Sequence, residues 1–115
     1  MVSAILEVRR DNHWEYVADL YHWSTKRPQE IWSHDFGSKG MPSDVSQMTQ
    51  IMAYSASQDD NRNAPTWLTL AEMKFFVSNM PFDFDHDFEN WVICCEGFEA
   101  RDIETRIVLW MREYT

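Results

Sequence analysis

Apolar and polar positions alternate with two different periods along this chain, and the places where the period changes mark the elements. Ala4 to Arg10 reads as a strand, Asp11 and Asn12 form a pair that tolerates positive φ, and His13 to Ala18 returns as the second arm of a hairpin. Alternation gives Trp14, Tyr16 and Ala18 one face, read as inward, and His13, Glu15 and Val17 the other. At the far end Ile103, Thr105, Ile107, Leu109 and Met111 alternate with Glu104, Arg106, Val108, Trp110 and Arg112, the strongest strand signal in the chain. This strand is expected to join the hairpin.

Between these strands the period lengthens. Ser43 follows Pro42 as an N-cap, and Val45, Met48, Ile51 and Met52 come at helical spacing, so a short amphipathic helix is predicted from Asp44 to about Tyr54. The stretch from Asn63 to Met73 ends a polar loop, turns Trp67 inward and opens a second helix. There Thr69 and Glu72 have the spacing of a reciprocal capping box, and Leu68 and Met73 that of a hydrophobic staple. The helix runs from Leu70 to about Ser78 with Leu70, Met73, Phe76 and Val77 on one face, and Pro81 prevents much extension. Phe88 to Glu96 reads as a third helix whose apolar face holds Phe88, Trp91, Val92 and Cys95, with Gly97 as its stop. Asp19 to Gly40 has only a weak pattern, with Pro28 opening a short helix through Trp32. The sum is one α+β domain over residues 1–115: a small antiparallel sheet from the N-terminal hairpin and the C-terminal strand, with about three short helices on one face.

Composition adds an acidic bias and a surplus of rings. The net charge is −9, and it is lopsided: residues 1–58 hold five basic and seven acidic groups, residues 59–115 five and twelve. Asp83, Asp85, Asp87, Glu89, Glu96, Glu99, Asp102 and Glu104 crowd one stretch with Arg101 as its one base. A field of that sign repels phosphate backbones and attracts basic surfaces, so direct nucleic-acid binding is not expected. No apolar run is long enough to cross a membrane and charge interrupts the first residues early, which points to a soluble cytoplasmic protein. Cys94 and Cys95 are adjacent, too close for an ordinary disulfide framework, and read as reduced thiols with Cys95 in the core.

Candidate chemistry is thin. Asp83, Asp85 and Asp87 resemble half a calcium loop, but Phe88 stands where a glycine is needed and Cys94 where the bidentate glutamate belongs. His13, His22, His34 and His86 form no metal or nucleophile spacing, so no catalytic residue, metal or cofactor is assigned. Gly37 to Gly40 lacks the Walker spacing, although Lys39 ahead of a helix can meet an anion. Tyr21, Trp23 and Trp32, with Lys26 and Arg27 between them, can stack a base and clamp its phosphate, or simply fill core.

Four segments carry a family resemblance: Val8-Arg9-Arg10-Asp11-Asn12-His13-Trp14, Gly40-Met41-Pro42-Ser43-Asp44-Val45-Ser46, Thr66-Trp67-Leu68-Thr69-Leu70-Ala71-Glu72-Met73 and Arg106-Ile107-Val108-Leu109-Trp110. In this order they resemble a group of small phage and prophage proteins with V-R-R-D-x-x-W, G-[LM]-P-x-D-V-S and W-L-T-L-A-E-[LM] segments. Many relatives carry an R-N-Y-x-L-F helix after the hairpin, which this chain lacks between Leu20 and Ile31. The resemblance implies a phage-encoded anti-defence inhibitor, anti-CRISPR-like, working in the bacterial host cytoplasm. Its partner would be a host defence protein or ribonucleoprotein effector, met by the acids from Asp83 to Glu104 with Trp and Tyr anchors. The alternative is an oligomeric sponge for a cyclic nucleotide signal, using Tyr21, Trp23, Lys26, Arg27, Trp32 and Lys39. An enzyme ranks last.

Overall fold

A computed structural model describes residues 2–20, 39–52, 65–79 and 86–111. The two-residue turn forms as the sequence requires, with Asp11 at φ 52° and Asn12 at φ 66° joining β1 (Val2–Arg10) to β2 (His13–Asp19). Left-handed geometry at both central positions matches the twist of the arms, and Asp and Asn pay little for it. A short strand, β3 (Thr66–Thr69), leads directly into a helix of residues Leu70–Asn79, and a longer helix, His86–Glu99, leads to β4 (Thr105–Met111). Residues 47–52 are also helical. We call these helices α1 (residues 47–52), α2 (Leu70–Asn79) and α3 (His86–Glu99). The sheet is antiparallel in the order β2-β1-β4-β3, so the two chain-terminal strands lie at its centre. The α+β class holds.

One sheet face carries the main core. Ala4, Leu6, Leu68, Ile107 and Leu109 pack under Leu70, Met73 and Phe76 of α2 and Phe88, Trp91, Val92 and Cys95 of α3. Both helices present the faces their spacing predicts. The capping box forms: Glu72 N–H donates to Thr69 Oγ1 at 3.2 Å and Thr69 N–H to Glu72 Oε1 at 2.9 Å. Leu68 and Met73, the staple pair, are both fully buried.

The other sheet face is covered too, by residues 41–52, which departs from a sheet with helices on one side only. Ile5, Val108 and Trp110 are buried there with Tyr16, Met41, Met52 and Trp67 packed against them. Strands β1 and β4 are therefore buried on both faces, and Arg106, which shares the second face with Val108 and Trp110, is buried. It is held against Glu7, its register partner across the two strands, with its Nη2 at 2.8 Å from Glu7 Oε1.

Two helix ends are corrected. Ser46, not Ser43, caps α1: Thr49 N–H donates to Ser46 Oγ at 3.2 Å, and the Ser46 N–H itself donates to Glu7 Oε2 at 2.9 Å. That anchor rotates α1 so that Ser46 and Thr49 are buried while Met48 and Ile51 face out, against the predicted apolar stripe. Gly97 lies inside α3. The chain reverses at Asp102, φ 62°, where Ile103 N–H donates to the Phe98 carbonyl and Asp102 N–H to that of Glu99. This is a Schellman closure with Asp in the left-handed position that Gly usually takes. The strand β3 was not read from the sequence, and the short helix from Pro28 to Trp32 and the polar loop around Asp59 and Asp60 lie outside the described residues.

Candidate functional site

Two surfaces carry unassigned chemistry, one on each side of the sheet. The first is the outer face of α3. Burial of Phe88, Trp91, Val92 and Cys95 forces Glu89, Asn90, Ile93, Cys94, Glu96 and Gly97 to the outside. Ile93 is 64% exposed, and Glu89 and Glu96 stand four residues before it and three after it, one helical turn to either side. Cys94, Gly97, Phe98 and Arg101 line an adjoining cleft of about 420 Å³. The turn that follows adds Asp102 and Glu104, both exposed.

These carboxylates differ in what holds them. Glu99 is half-buried and accepts from the Thr105 hydroxyl at 2.6 Å, so it serves the helix–strand corner. Glu96 lies 3.6 Å from Lys74 Nζ and Glu104 3.5 Å from Arg9 Nη1, each pair about half-exposed. Pairs so solvated contribute little and exchange readily for a partner's cation. Asp87 lies in the first turn of α3, but its side chain is outside the description, as are Asp83 and Asp85 entirely. Glu89, Glu96, Asp102 and Glu104 are thus exposed in turn along the length of α3 and the turn after it.

The second surface is a cleft of about 570 Å³ on the opposite sheet face, between β1, β4 and residues 39–44. Its floor is a stack of rings and cations: the Arg106 guanidinium lies 3.9 Å from the Trp14 ring and 5.7 Å from that of Trp67, and Lys39 Nζ is 3.7 Å above Trp67. Lys39 also pairs with Glu72 of the capping box. Arg106 Nη1 donates to Asp44 Oδ1 at 2.9 Å and Trp14 Nε1 to Asp44 Oδ2 at 3.1 Å. The hydrogen bond from Arg106 holds the Asp44 carboxyl below its usual range, and Asp44 is nonetheless 64% exposed. Of the residues read as a stacking site, Lys39 alone is described; Tyr21, Trp23, Lys26, Arg27 and Trp32 lie outside the described residues.

Ile93 and Asp44 were both missed. Ile93 had a signal, since its angle on the helix opposes the core stripe of α3. Asp44 had none: its partners Trp14 and Arg106 are 30 and 62 residues away. Burial pushes the Cys95 thiol up to about 11, whereas Cys94 is exposed. Among the described residues no three His, Cys, Asp or Glu side chains converge as a metal site, and no helix is long and apolar enough to cross a membrane. No protein-family model, curated protein or solved structure matches the chain.

Proposed function

We propose that this protein acts by binding, as a phage-encoded anti-defence inhibitor of the anti-CRISPR kind. Its acidic α3 face would occupy a Lys- and Arg-lined nucleic-acid site on a host immune effector, either a defence protein or a ribonucleoprotein. The observation that carries the reading is Ile93, exposed at 64% with Glu89 and Glu96 one helical turn to either side. An apolar centre inside a charged rim is how specific interfaces are built: the rim steers and selects, the centre supplies the desolvated contact. The net charge of −9 gives the steering field its sign. In the test, the purified protein is immobilised and challenged with host lysate at low and high salt, and any captured effector is assayed for nucleic-acid binding. Capture that salt weakens, that blocks nucleic-acid binding and that Glu89→Gln/Glu96→Gln/Asp102→Asn abolishes is the expected result. Capture indifferent to salt and to the triple variant would refute the reading.

A nucleotide sponge is the second reading, and the cleft beside Trp67 favours it. About 570 Å³ suits a nucleotide-sized ligand, and Arg9 on its rim makes a half-exposed pair with Glu104. A purified sample whose absorbance ratio at 260 and 280 nm is too high for a six-Trp protein would support it.

A further inference from the structure

Asp44 is fixed from two strands and still faces solvent. Its oxygens accept from Arg106 Nη1 at 2.9 Å and from Trp14 Nε1 at 3.1 Å, yet its side chain is 64% exposed and lines the cleft of about 570 Å³. As a counter-charge it is supplementary, because Arg106 already meets Glu7 through Nε at 2.9 Å and Nη2 at 2.8 Å. What the two donors add is orientation. The hydrogen bond from Arg106 also keeps the carboxyl ionised at neutral pH. An ionised carboxylate donates nothing, and each of its oxygens can accept a second hydrogen bond. Asp44 therefore offers the cleft a held pair of acceptors.

The charges of the lining narrow what can meet such a pair. Arg9, Lys39 and Arg106 line the same cleft against Asp44 and Glu104, three cations against two carboxylates. A guanidinium or ammonium group entering it would meet those cations as well as Asp44, so the matching donor pair is neutral and belongs to a molecule that is anionic elsewhere. Among the nucleobases guanine carries two adjacent donors, N1–H and the 2-amino group, on one edge. Adenine sets a ring-nitrogen acceptor beside its amino group there, and an ionised carboxylate repels it. Resting on the nucleotide reading of this cleft, we infer that it takes a guanine nucleotide, with Asp44 accepting from N1–H and the 2-amino group and the base lying against Met41 and Trp67. Arg9, whose pair with Glu104 is half-exposed and weak, turns to the phosphate.

The experiment is isothermal titration calorimetry of the whole chain with cyclic GMP, cyclic IMP and cyclic AMP, and with cyclic di-GMP and cyclic di-AMP. Guanine ligands should bind about tenfold or more tighter than their adenine counterparts, the discrimination of one bidentate pair. Cyclic IMP, which lacks only the 2-amino group, should fall between. Asp44→Asn replaces one acceptor with a donor and should erase the guanine preference without weakening the adenine ligands. A carboxylate that served only to hold Arg106 would, once lost, weaken all of these ligands alike, and that result would overturn the inference. The ligand series on wild type reads the same two hydrogen bonds with no substitution, so it decides the matter even where the variant fails to fold. Equal affinity for guanine and adenine ligands, or a preference that survives Asp44→Asn, would overturn the inference and leave the cleft a nucleotide site. Binding of none of these ligands would overturn the sponge reading with it.

Discussion

Replacing Glu7 with Gln removes the charge against which Arg106 is buried. Glu7 is fully buried, and its Oε1 accepts from Arg106 Nε at 2.9 Å while its Oε2 accepts from the Ser46 N–H at 2.9 Å. The amide has one acceptor oxygen instead of two. Whichever way it turns, its NH₂ faces a donor, either the guanidinium or the Ser46 N–H. Among the described residues Arg106, with its side chain 3% exposed, then keeps only the Asp44 carboxylate as counter-charge. Breaking one side of a buried pair costs about 3–5 kcal/mol, a large share of the roughly 5–15 kcal/mol that holds a domain together. For a chain of 115 residues that is about 12–20 °C in Tm. Urea unfolding followed by Trp fluorescence and by circular dichroism measures the loss. Glu7→Met/Arg106→Met, which leaves no buried charge unpaired and only the solvated Asp44 without its partner, should recover part of it, so the two single losses should exceed the double by about 2 kcal/mol or more. Additive losses, or a Glu7→Gln variant within about 1 kcal/mol of wild type, would refute the view that Glu7 and Arg106 act as one unit.

Thr69→Ala removes the acceptor for the Glu72 N–H and should cost about 1 kcal/mol in the same unfolding assay, while Thr69→Ser retains most of the stability. The depressed Asp44 carboxyl gives a pH signature. A folded pKa below the unfolded value contributes stability that is complete above about pH 5 and lost as pH falls through the folded value. Asp44→Asn should therefore flatten the acid limb of a stability profile recorded from about pH 5 down to about pH 2. The Cys95 thiol has the opposite sign: its neutral form is favoured in the fold, so its contribution is complete below about pH 8.5 and declines as pH rises towards about 11. An aromatic disulfide reagent at pH 8 should label Cys94 quickly and Cys95 only on unfolding, and prompt labelling of both would contradict the burial of Cys95.

What the sequence by itself determined is whatever depends on near neighbours. The Asp11–Asn12 turn, the Thr69–Glu72 box, the Leu68–Met73 staple and the inward faces of α2 and α3 each rest on residues no more than about one or two helical turns apart. Local spacing also showed where the acids cluster. The tertiary structure decided what depends on distant partners. Strand period separates Arg106 from Thr105 and Ile107 but does not say whether its face is wet or dry, and the return of residues 41–52 over the second face makes that position interior. The same return moved the α1 cap to Ser46, since Glu7, 39 residues away, supplies the acceptor for its N–H. It also turned Met48 and Ile51 to solvent. The α3 stop moved from Gly97 to Asp102 because the start of β4 fixes where the chain must reverse, and a left-handed Asp costs less than an earlier end to a packed helix. A capping box is paid for within one turn, but a buried ion pair exists only when two strands from opposite ends of the chain have met.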